Sequence, residues 1–282
     1  MKSVVITGVS TGIGHAAAET LIRNGVHVFG SVRKKADADR VKNELGPFFT
    51  PLIFDVTDEA AIRRAADEVR KELNGQKLAG LVNNAGIAVA GPLLHMPPDE
   101  LRHQMEVNLI GPMMVSQAFG PLLGADPSLK GPPGRIVMIS SVAGENGQPF
   151  MGPYAASKHA LEGLSESLRR ELIPFGIDVI VIGPGAVKTP IWDKANDLDI
   201  SRYANTPYAK ALGNLKSYML KAGANGVAAS RLGDLIHHVL TADKPKTRYR
   251  IVPSALESFM LRTLPKRTVD RLIARRLGLS KI

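Results

Sequence analysis

An apolar run at residues 4–6 stops at Thr7-Gly8-Val9-Ser10-Thr11-Gly12-Ile13-Gly14, and a helix-forming stretch at residues 16–22 follows. No other feature restricts the fold as much. A buried strand that leaves through a glycine turn into a helix returns to the sheet as a parallel neighbour. The glycines let the backbone turn sharply and approach a pyrophosphate. The helix N-terminus adds free N–H groups and the positive end of its dipole. Gly12-Ile13-Gly14-His15-Ala16-Ala17 also fits G-x-G-x-x-A.

The same alternation continues along the chain. Strands are expected at residues 26–32, 52–54, 78–82, 135–139, 177–182 and 251–252, and helices at 58–73, 99–119 and 154–172. This predicts an α/β fold: a doubly wound parallel sheet, Rossmann-like, in a single domain with a C-terminal helical extension. With 282 residues and 44% hydrophobic composition the chain can bury a large core. Residues 120–134, rich in Gly and Pro, are expected as a surface loop. Residues 1–253 are read as the dinucleotide-binding and catalytic domain, with 190–226 a strandless lid over the substrate. Residues 254–282 are read as a basic helical extension, whose part from Val269 to Ile282 is expected to be dispensable for chemistry if it is a membrane-surface or solvated element.

Three side chains suggest proton chemistry. Tyr154 and Lys158 stand at i and i+4, so they share one helix face. A free tyrosine, with a pKa of ~10, is a poor base near neutrality. A nearby ammonium favours the phenolate, so the tyrosine could exchange a proton with a carbonyl or alcohol oxygen. Ser141 could hydrogen-bond that same oxygen. The bland reading is a tyrosine and a lysine that merely share a helix surface.

The ordered set of motifs resembles the short-chain dehydrogenase/reductase family, in its single-domain branch. TGxxxGIG is Thr7 to Gly14, and NNAG is Asn83 to Gly86. Asn108 stands in a VNLxG context. Ser141 precedes Tyr154 by 13 positions, YxxxK is Tyr154 to Lys158, and PGxVxT is Pro184 to Thr189. The resemblance covers about Lys2 to Pro253.

That resemblance implies roles residue by residue. Tyr154 would donate or accept the proton, Ser141 would orient the substrate oxygen, and Asn108 would help hold a water in a proton relay. Lys158 would hold the nicotinamide ribose and depress the tyrosine pKa. Gly8, Ser10, Gly12, Ile13 and Gly14 would surround the phosphates and adenosine ribose. Asp55 and Val56 would flank adenine, and Asn83, Ala85 and Gly86 would support the cofactor. Pro184, Gly185, Val187 and Thr189 would lie along the nicotinamide, the last two at its carboxamide. Turn chemistry alone is the other reading of Asn83, Asn84 and Gly86.

Cofactor choice rests on the end of the second strand. An acid there holds the ribose 2′-OH of NAD; a cation suits the 2′-phosphate of NADP. Val32 occupies the acid position and Arg33, Lys34 and Lys35 follow. NADP(H) is therefore expected over NAD, although these cations also fit a solvated charge run and Thr11 lacks the basic side chain many NADP members carry. The expected substrate contacts are Ser141, Gln148, Phe150, Tyr154 and Trp192. His95, Met96, Met151, Tyr203 and Tyr208 lie around the mouth. This lining suits a bulky apolar ketone or secondary alcohol, with steroid-, retinoid- or lipid-like substrates in view. The function read is hydride transfer on such a substrate. The alternative is a non-catalytic nucleotide-binding sensor or scaffold, and an epimerase or dehydratase using the same tyrosine stands third.

The chain has no cysteine, which excludes disulfides and thiolate metal sites, and no His/Asp/Glu spacing suggests a catalytic metal. The net charge is +10. Residues 244–282 hold eleven basic and two acidic residues, so the rest is near neutral, unlike a uniformly basic nucleic-acid binder. Val269, Leu272, Ile273 and Leu277 make one apolar helix face among those cations. Two readings remain: a helix packed on the body with a solvated basic face, or weak contact with an anionic membrane surface. No apolar run approaches the ~18–20 residues that span a bilayer, and the N-terminus lacks a signal-peptide core. A cytoplasmic protein, or one peripheral to a membrane, is expected, and a homo-oligomer is compatible with the sequence.

Overall fold

The computed structural model of the protein describes residues 1–190 and 200–279. Seven parallel strands form the central sheet: β1 (Ser3–Ile6), β2 (His27–Val32), β3 (Phe49–Ile53), β4 (Gly80–Asn83), β5 (Arg135–Ile139), β6 (Asp178–Pro184) and β9 (Arg248–Ile251). Their order is β3-β2-β1-β4-β5-β6-β9. A short second sheet pairs β7 (Val187–Lys188) with β8 (Val227–Ala228).

Successive strand residues point to opposite faces, and two separate cores result. Val4, Ile6, Val28, Val82, Val137 and Ile180 pack on one side with α1 (Gly12–Arg23), α2 (Lys35–Leu45) and α8 (Ala229–Thr241). Val5, Phe29, Leu81, Ile136, Met138 and Val179 pack on the other with α3 (Glu59–Glu72), α5 (Gly111–Gly120) and α6 (Gly152–Glu171). Ser31 and Asn83 are buried polar exceptions, but most buried strand positions are apolar, as a sheet covered on both faces requires. Each fully buried side chain of this size contributes about 1.5–3 kcal/mol. Asp58 caps α3 by accepting from the Ala61 N–H at 2.9 Å.

Several boundaries differ from the sequence reading. α2 and α8 were not anticipated: α2 is short and strongly polar, and only Ala38 and Val41 of its side chains are buried. The helix expected at 99–119 is interrupted. α4 (Pro98–Met105) and α5 are joined by a π-helical turn at Glu106–Ile110, which periodicity does not signal. Part of the expected loop at 120–134 is a second π turn, Pro121–Ala125.

A third apolar cluster lies apart from the sheet. It joins Phe150, Tyr203, Leu212, Leu215 and Leu277, so α7 (Ala209–Ala224) and α10 (Lys266–Leu277) pack together. Asn214 Nδ2 donates to the Leu277 carbonyl at 3.0 Å, and Arg276 stands over the Tyr218 ring. Between β9 and α10 lies α9 (Ala255–Thr263). α10 is thus attached to α7, with Ile273 and Leu277 turned toward it.

Candidate active site

Strand order reverses between β1 and β4. In open parallel sheets the crevice beyond the carboxyl ends of such a pair is where ligands bind. Here it is formed by the Thr7–Gly14 turn and the Asn83–Gly86 turn. Gly8 and Gly12 have φ of +71° and +66°, a backbone region that favours glycine. A Cβ on Gly14 would stand 2.3 Å from the Gly8 carbonyl oxygen and 2.5 Å from Asn84 Nδ2. Position 14 therefore has room only for hydrogen.

Asn84 ties the two turns together. Its Nδ2 donates to the Thr7 and Gly8 carbonyls at 2.8 and 3.0 Å, and Thr7 Oγ1 accepts from the N–H groups of Asn84 and Ala85. Gly8 N donates to Ser31 Oγ at 3.1 Å. Thr11, at the N-terminus of α1, makes no side-chain cap, so no N-cap side chain takes up the first-turn N–H groups. Ile13 packs inward against the core. Thr189 Cγ2 would lie 3.3 Å from a Cβ on Gly12, so the Val187–Thr189 segment closes over the turn. Gly185 N, just before that segment, donates to the Ile251 carbonyl.

The Asn83 side chain points elsewhere. It is 3% exposed, and its Nδ2 donates to Ser116 Oγ at 3.0 Å and approaches Met138 Sδ. Its side chain is core structure, and Asn84 makes the contacts at the crevice.

At the outer end of the crevice Arg33 is 70% exposed and lies 3.9 Å from Asp55. The Asp55 carboxylate also accepts from Thr57 N and Oγ1. Val56 is buried and packs on Gly111. Val32 is buried too, its side chain in the core beside α2. Arg40 was not anticipated: from α2 its Nη2 donates to the Ser10 carbonyl at 2.7 Å and to Asp37, while its Nη1 donates to Glu44. Its signal is three-dimensional, since nothing in the sequence brings residue 40 to residue 10.

Tyr154 and Lys158 project from α6, and the Lys158 Nζ is 5.9 Å from the Tyr154 ring centre. Lys158 is 5% exposed and donates to the Ile139 carbonyl at 2.8 Å. Burial lowers its pKa from the usual 10.5 to about 8, and the nearby Glu162 carboxylate opposes this. Burial also raises the Tyr154 pKa, and a hydrogen bond with Ser141 offsets part of the rise. The sequence led us to expect a tyrosine depressed by its lysine. Here desolvation is the largest effect on the tyrosine, and the lysine is engaged with a carbonyl. Ser141 Oγ accepts from Ala143 N at 3.1 Å and reaches the Pro184 carbonyl at 3.4 Å. Asn108, fully buried in the π turn, accepts from Ile87 N at 2.9 Å and donates to the Ile87 carbonyl and Ser157 Oγ. A Cβ on Gly86 would lie 3.2 Å from Asn108 Oδ1 and 3.8 Å from Lys158 Nζ, so Gly86, Asn108 and Lys158 converge.

The expected mouth is partly assembled. Phe150 adopts a φ of +66°, unusual for an aromatic residue, and its carbonyl accepts from Gly91 N at 2.7 Å. Its ring is buried and meets Tyr208, which in turn meets His95. Tyr203 is buried beside Gly91 and Met96. Gln148 is half-buried and its carbonyl accepts from Met151 N. Leu93 and Leu94, which the sequence reading omitted, are exposed nearby, with Leu93 against Gly152 at the start of α6. Trp192 lies outside the described residues. Behind the site Arg248 bridges two carboxylates, reaching Glu162 at 3.0 and 3.1 Å and Glu145 at 2.8 Å, and Arg250 also pairs with Glu145. These two arginines, counted by sequence in the basic tail, belong to the sheet. Among the described residues no three His, Asp or Glu side chains gather as a metal site, and no helix is long and apolar enough to cross a membrane.

Together these features define a dinucleotide-binding α/β protein with a Ser-Tyr-Lys constellation at the mouth of its nucleotide crevice. The sequence profile of the short chain dehydrogenase family matches residues 2–199. The chain belongs to that family, the short-chain dehydrogenases/reductases, and is an oxidoreductase. It is 38% identical to an NADPH-dependent 3-dehydrocapnine reductase of Ornithobacterium rhinotracheale, over 96% of both chains. A short-chain dehydrogenase structure from Streptomyces avermitilis superposes with a TM-score of 0.77 at 26% identity, covering 99% of this chain and 98% of the other. A 3-oxoacyl-[acyl-carrier protein] reductase with bound NAD from Brucella melitensis gives 0.68 at 27% identity, covering 89% and 88%.

Proposed function

We propose that the protein transfers hydride between NADP(H) and a carbonyl or secondary alcohol on a bulky apolar substrate. The observation that carries this reading is the convergence of Ser141, Tyr154, Lys158 and Asn108 beside a crevice with no room for a side chain at position 14. That crevice fits a dinucleotide: its glycines admit close backbone approach, and its uncapped helix start favours a pyrophosphate. Gly8, Ser10, Gly12, Ile13 and Gly14 would hold the phosphates and ribose, with Ala85, Gly86, Pro184, Gly185, Val187 and Thr189 along the nicotinamide. When bound, the nicotinamide supplies or accepts the hydride.

This chain's residues do the rest. The Tyr154 hydroxyl carries the proton at the substrate oxygen, and its raised pKa keeps it protonated and able to donate near neutrality. Ser141 orients that oxygen. Lys158 holds the ribose and relays charge toward the tyrosine, and Asn108 fixes the Ile87 segment behind it. Asn108 would also position a relay water. In this reading residues 1–253 carry binding and catalysis and 254–282 form the basic extension; of the expected lid, 190–226, residues 191–199 lie outside the described residues. The exposed Leu93 and Leu94, with the Phe150–Tyr208 ring pair, support an apolar substrate.

The preference for NADP(H) rests on Arg33, exposed and only loosely paired with Asp55. The name of the Ornithobacterium relative supports the same cofactor, whereas the Brucella structure holds NAD. Arg33→Ala tests the choice; Val32 is too buried for a clean test, since an aspartate there would also disturb the core. The kcat/KM for NADPH should fall by about 10–150-fold, the equivalent of about 1.5–3 kcal/mol for hydrogen bonds to charged groups, while that for NADH stays constant. A wild-type preference for NADH, or an unchanged ratio in Arg33→Ala, would overturn it.

A further inference from the structure

The extension carries a surface that the proposed chemistry does not use. On α9, Leu256, Phe259 and Met260 stand at i, i+3 and i+4, on one helix face. They are 71%, 60% and 46% exposed, so this apolar stripe faces solvent. An amphipathic helix of a folded domain normally turns such a stripe inward, as α10 does with Ile273 and Leu277. The opposite side of α10 presents Arg267, Arg271 and Arg275 at i, i+4 and i+8, all exposed. Asp270 is the one acid of α10 and lies 3.9 Å from Arg267. Lys266, where α10 begins, reaches Asn146 Oδ1 at 3.4 Å, in the loop that follows Ser141.

We propose that α9 and α10 form a docking element for an anionic lipid surface, with the α9 stripe entering the acyl boundary and the α10 arginines meeting the headgroups. Two kinds of attraction act together. Apolar side chains alone bind an interface weakly, and cations alone are released by salt; an exposed stripe followed directly by a row of arginines supplies both. Charge decides among occupants. A second copy of this chain would bring another row of arginines to the same surface, at a repulsive cost. A neutral membrane would leave those arginines without counter-charge. The Lys266–Asn146 contact puts the start of α10 beside the loop that follows Ser141. The inference stands apart from the proposed activity, and its test reads no turnover of lipid.

The full chain is sedimented with phosphatidylcholine vesicles, either pure or containing phosphatidylglycerol. Pelleting is expected with the anionic vesicles at low salt and is expected to disappear at high salt, where the screening length shrinks. Arg267→Gln with Arg271→Gln and Arg275→Gln should weaken it on the order of 10²-fold, from about a kcal/mol per cation. Phe259→Ser with Met260→Ser should weaken it on the order of tenfold, from the lost apolar area. All five positions are exposed, so the melting temperature and turnover of a water-soluble ketone should not change. No pelleting of the unaltered chain with anionic vesicles at low salt overturns the proposal without any variant. So does equal pelleting on pure phosphatidylcholine, or binding unaffected by both sets of changes. A doubled mass in light scattering that Phe259→Ser abolishes would assign the stripe to a second copy instead.

Discussion

Replacing Gly14 with alanine puts the smallest possible load on the crevice. The added Cβ would lie 2.3 Å from the Gly8 carbonyl oxygen, where ordinary contact begins at 3.4 Å. One of the two must move by about 1 Å, and the carbonyl cannot swing away freely because Asn84 donates to it. Overpacking of this kind costs about 1–3 kcal/mol. At roughly 2–4 °C per kcal/mol for a chain near this size, the melting temperature should fall by about 2–12 °C. The larger effect should be on the ligand. A displacement of 1 Å in a positioning group costs on the order of 10²-fold, so NADPH affinity should drop by about that factor. Circular dichroism melts and a fluorescence titration of NADPH measure the two effects. Gly147→Ala is the control, because nothing lies within 4 Å of its added Cβ. If Gly14→Ala keeps native stability and native NADPH affinity, the crevice is not the pyrophosphate site.

Two further substitutions probe the groups behind it. In Lys158→Met the stability profile should flatten. The folded state holds the lysine pKa near 8 against 10.5 unfolded, so between those pH values the unfolded chain binds more protons and stability rises with pH by at most about 3 kcal/mol. Tyr154, shifted up from 10, acts in the opposite direction only above about pH 10, which leaves pH 8–10 as the window for denaturant titration; an identical rise in the variant would remove Lys158 as its source. Arg248→Leu should lose about 1–3 kcal/mol in the same assay, because two partly buried carboxylates, Glu145 and Glu162, lose their shared cation. Arg248→Lys should recover part of it, and a loss within about 0.5 kcal/mol would mean the network is ornamental to stability.

The sheet was legible in the sequence because each buried strand is a short apolar run closed by a turn residue, as at Ile6-Thr7-Gly8 and Val82-Asn83-Asn84. The Ser141, Tyr154 and Lys158 grouping was legible through the ordered motifs of the family the chain resembles, since the i, i+4 spacing of Tyr154 and Lys158 fits a shared helix surface equally well. What escaped depends on contacts between distant segments. α2 stabilises itself on its surface with i,i+4 ion pairs such as Lys35–Asp39 and Arg40–Glu44, so it shows little apolar periodicity. Arg40 meets Ser10 only once that helix is docked. Asn83 and Asn84 are adjacent and chemically identical, and only the strand's alternation sends one to the core and the other to the crevice. The desolvation that raises the Tyr154 pKa likewise belongs to the packed site and not to the spacing.

The central claim is that Tyr154 is the proton carrier of a hydride-transfer site, and Tyr154→Phe tests it most directly. The substitution keeps the ring and removes one hydroxyl. Oxidation of NADPH is followed by absorbance, with a panel of apolar ketones and secondary alcohols as substrates. On any substrate the wild type turns over, the rate should fall by about 10²–10⁴-fold, with NADPH affinity essentially unchanged. Near-normal turnover by Tyr154→Phe would contradict the assignment, and NADPH binding without turnover by the wild type across the panel would leave a binding protein in place of an enzyme.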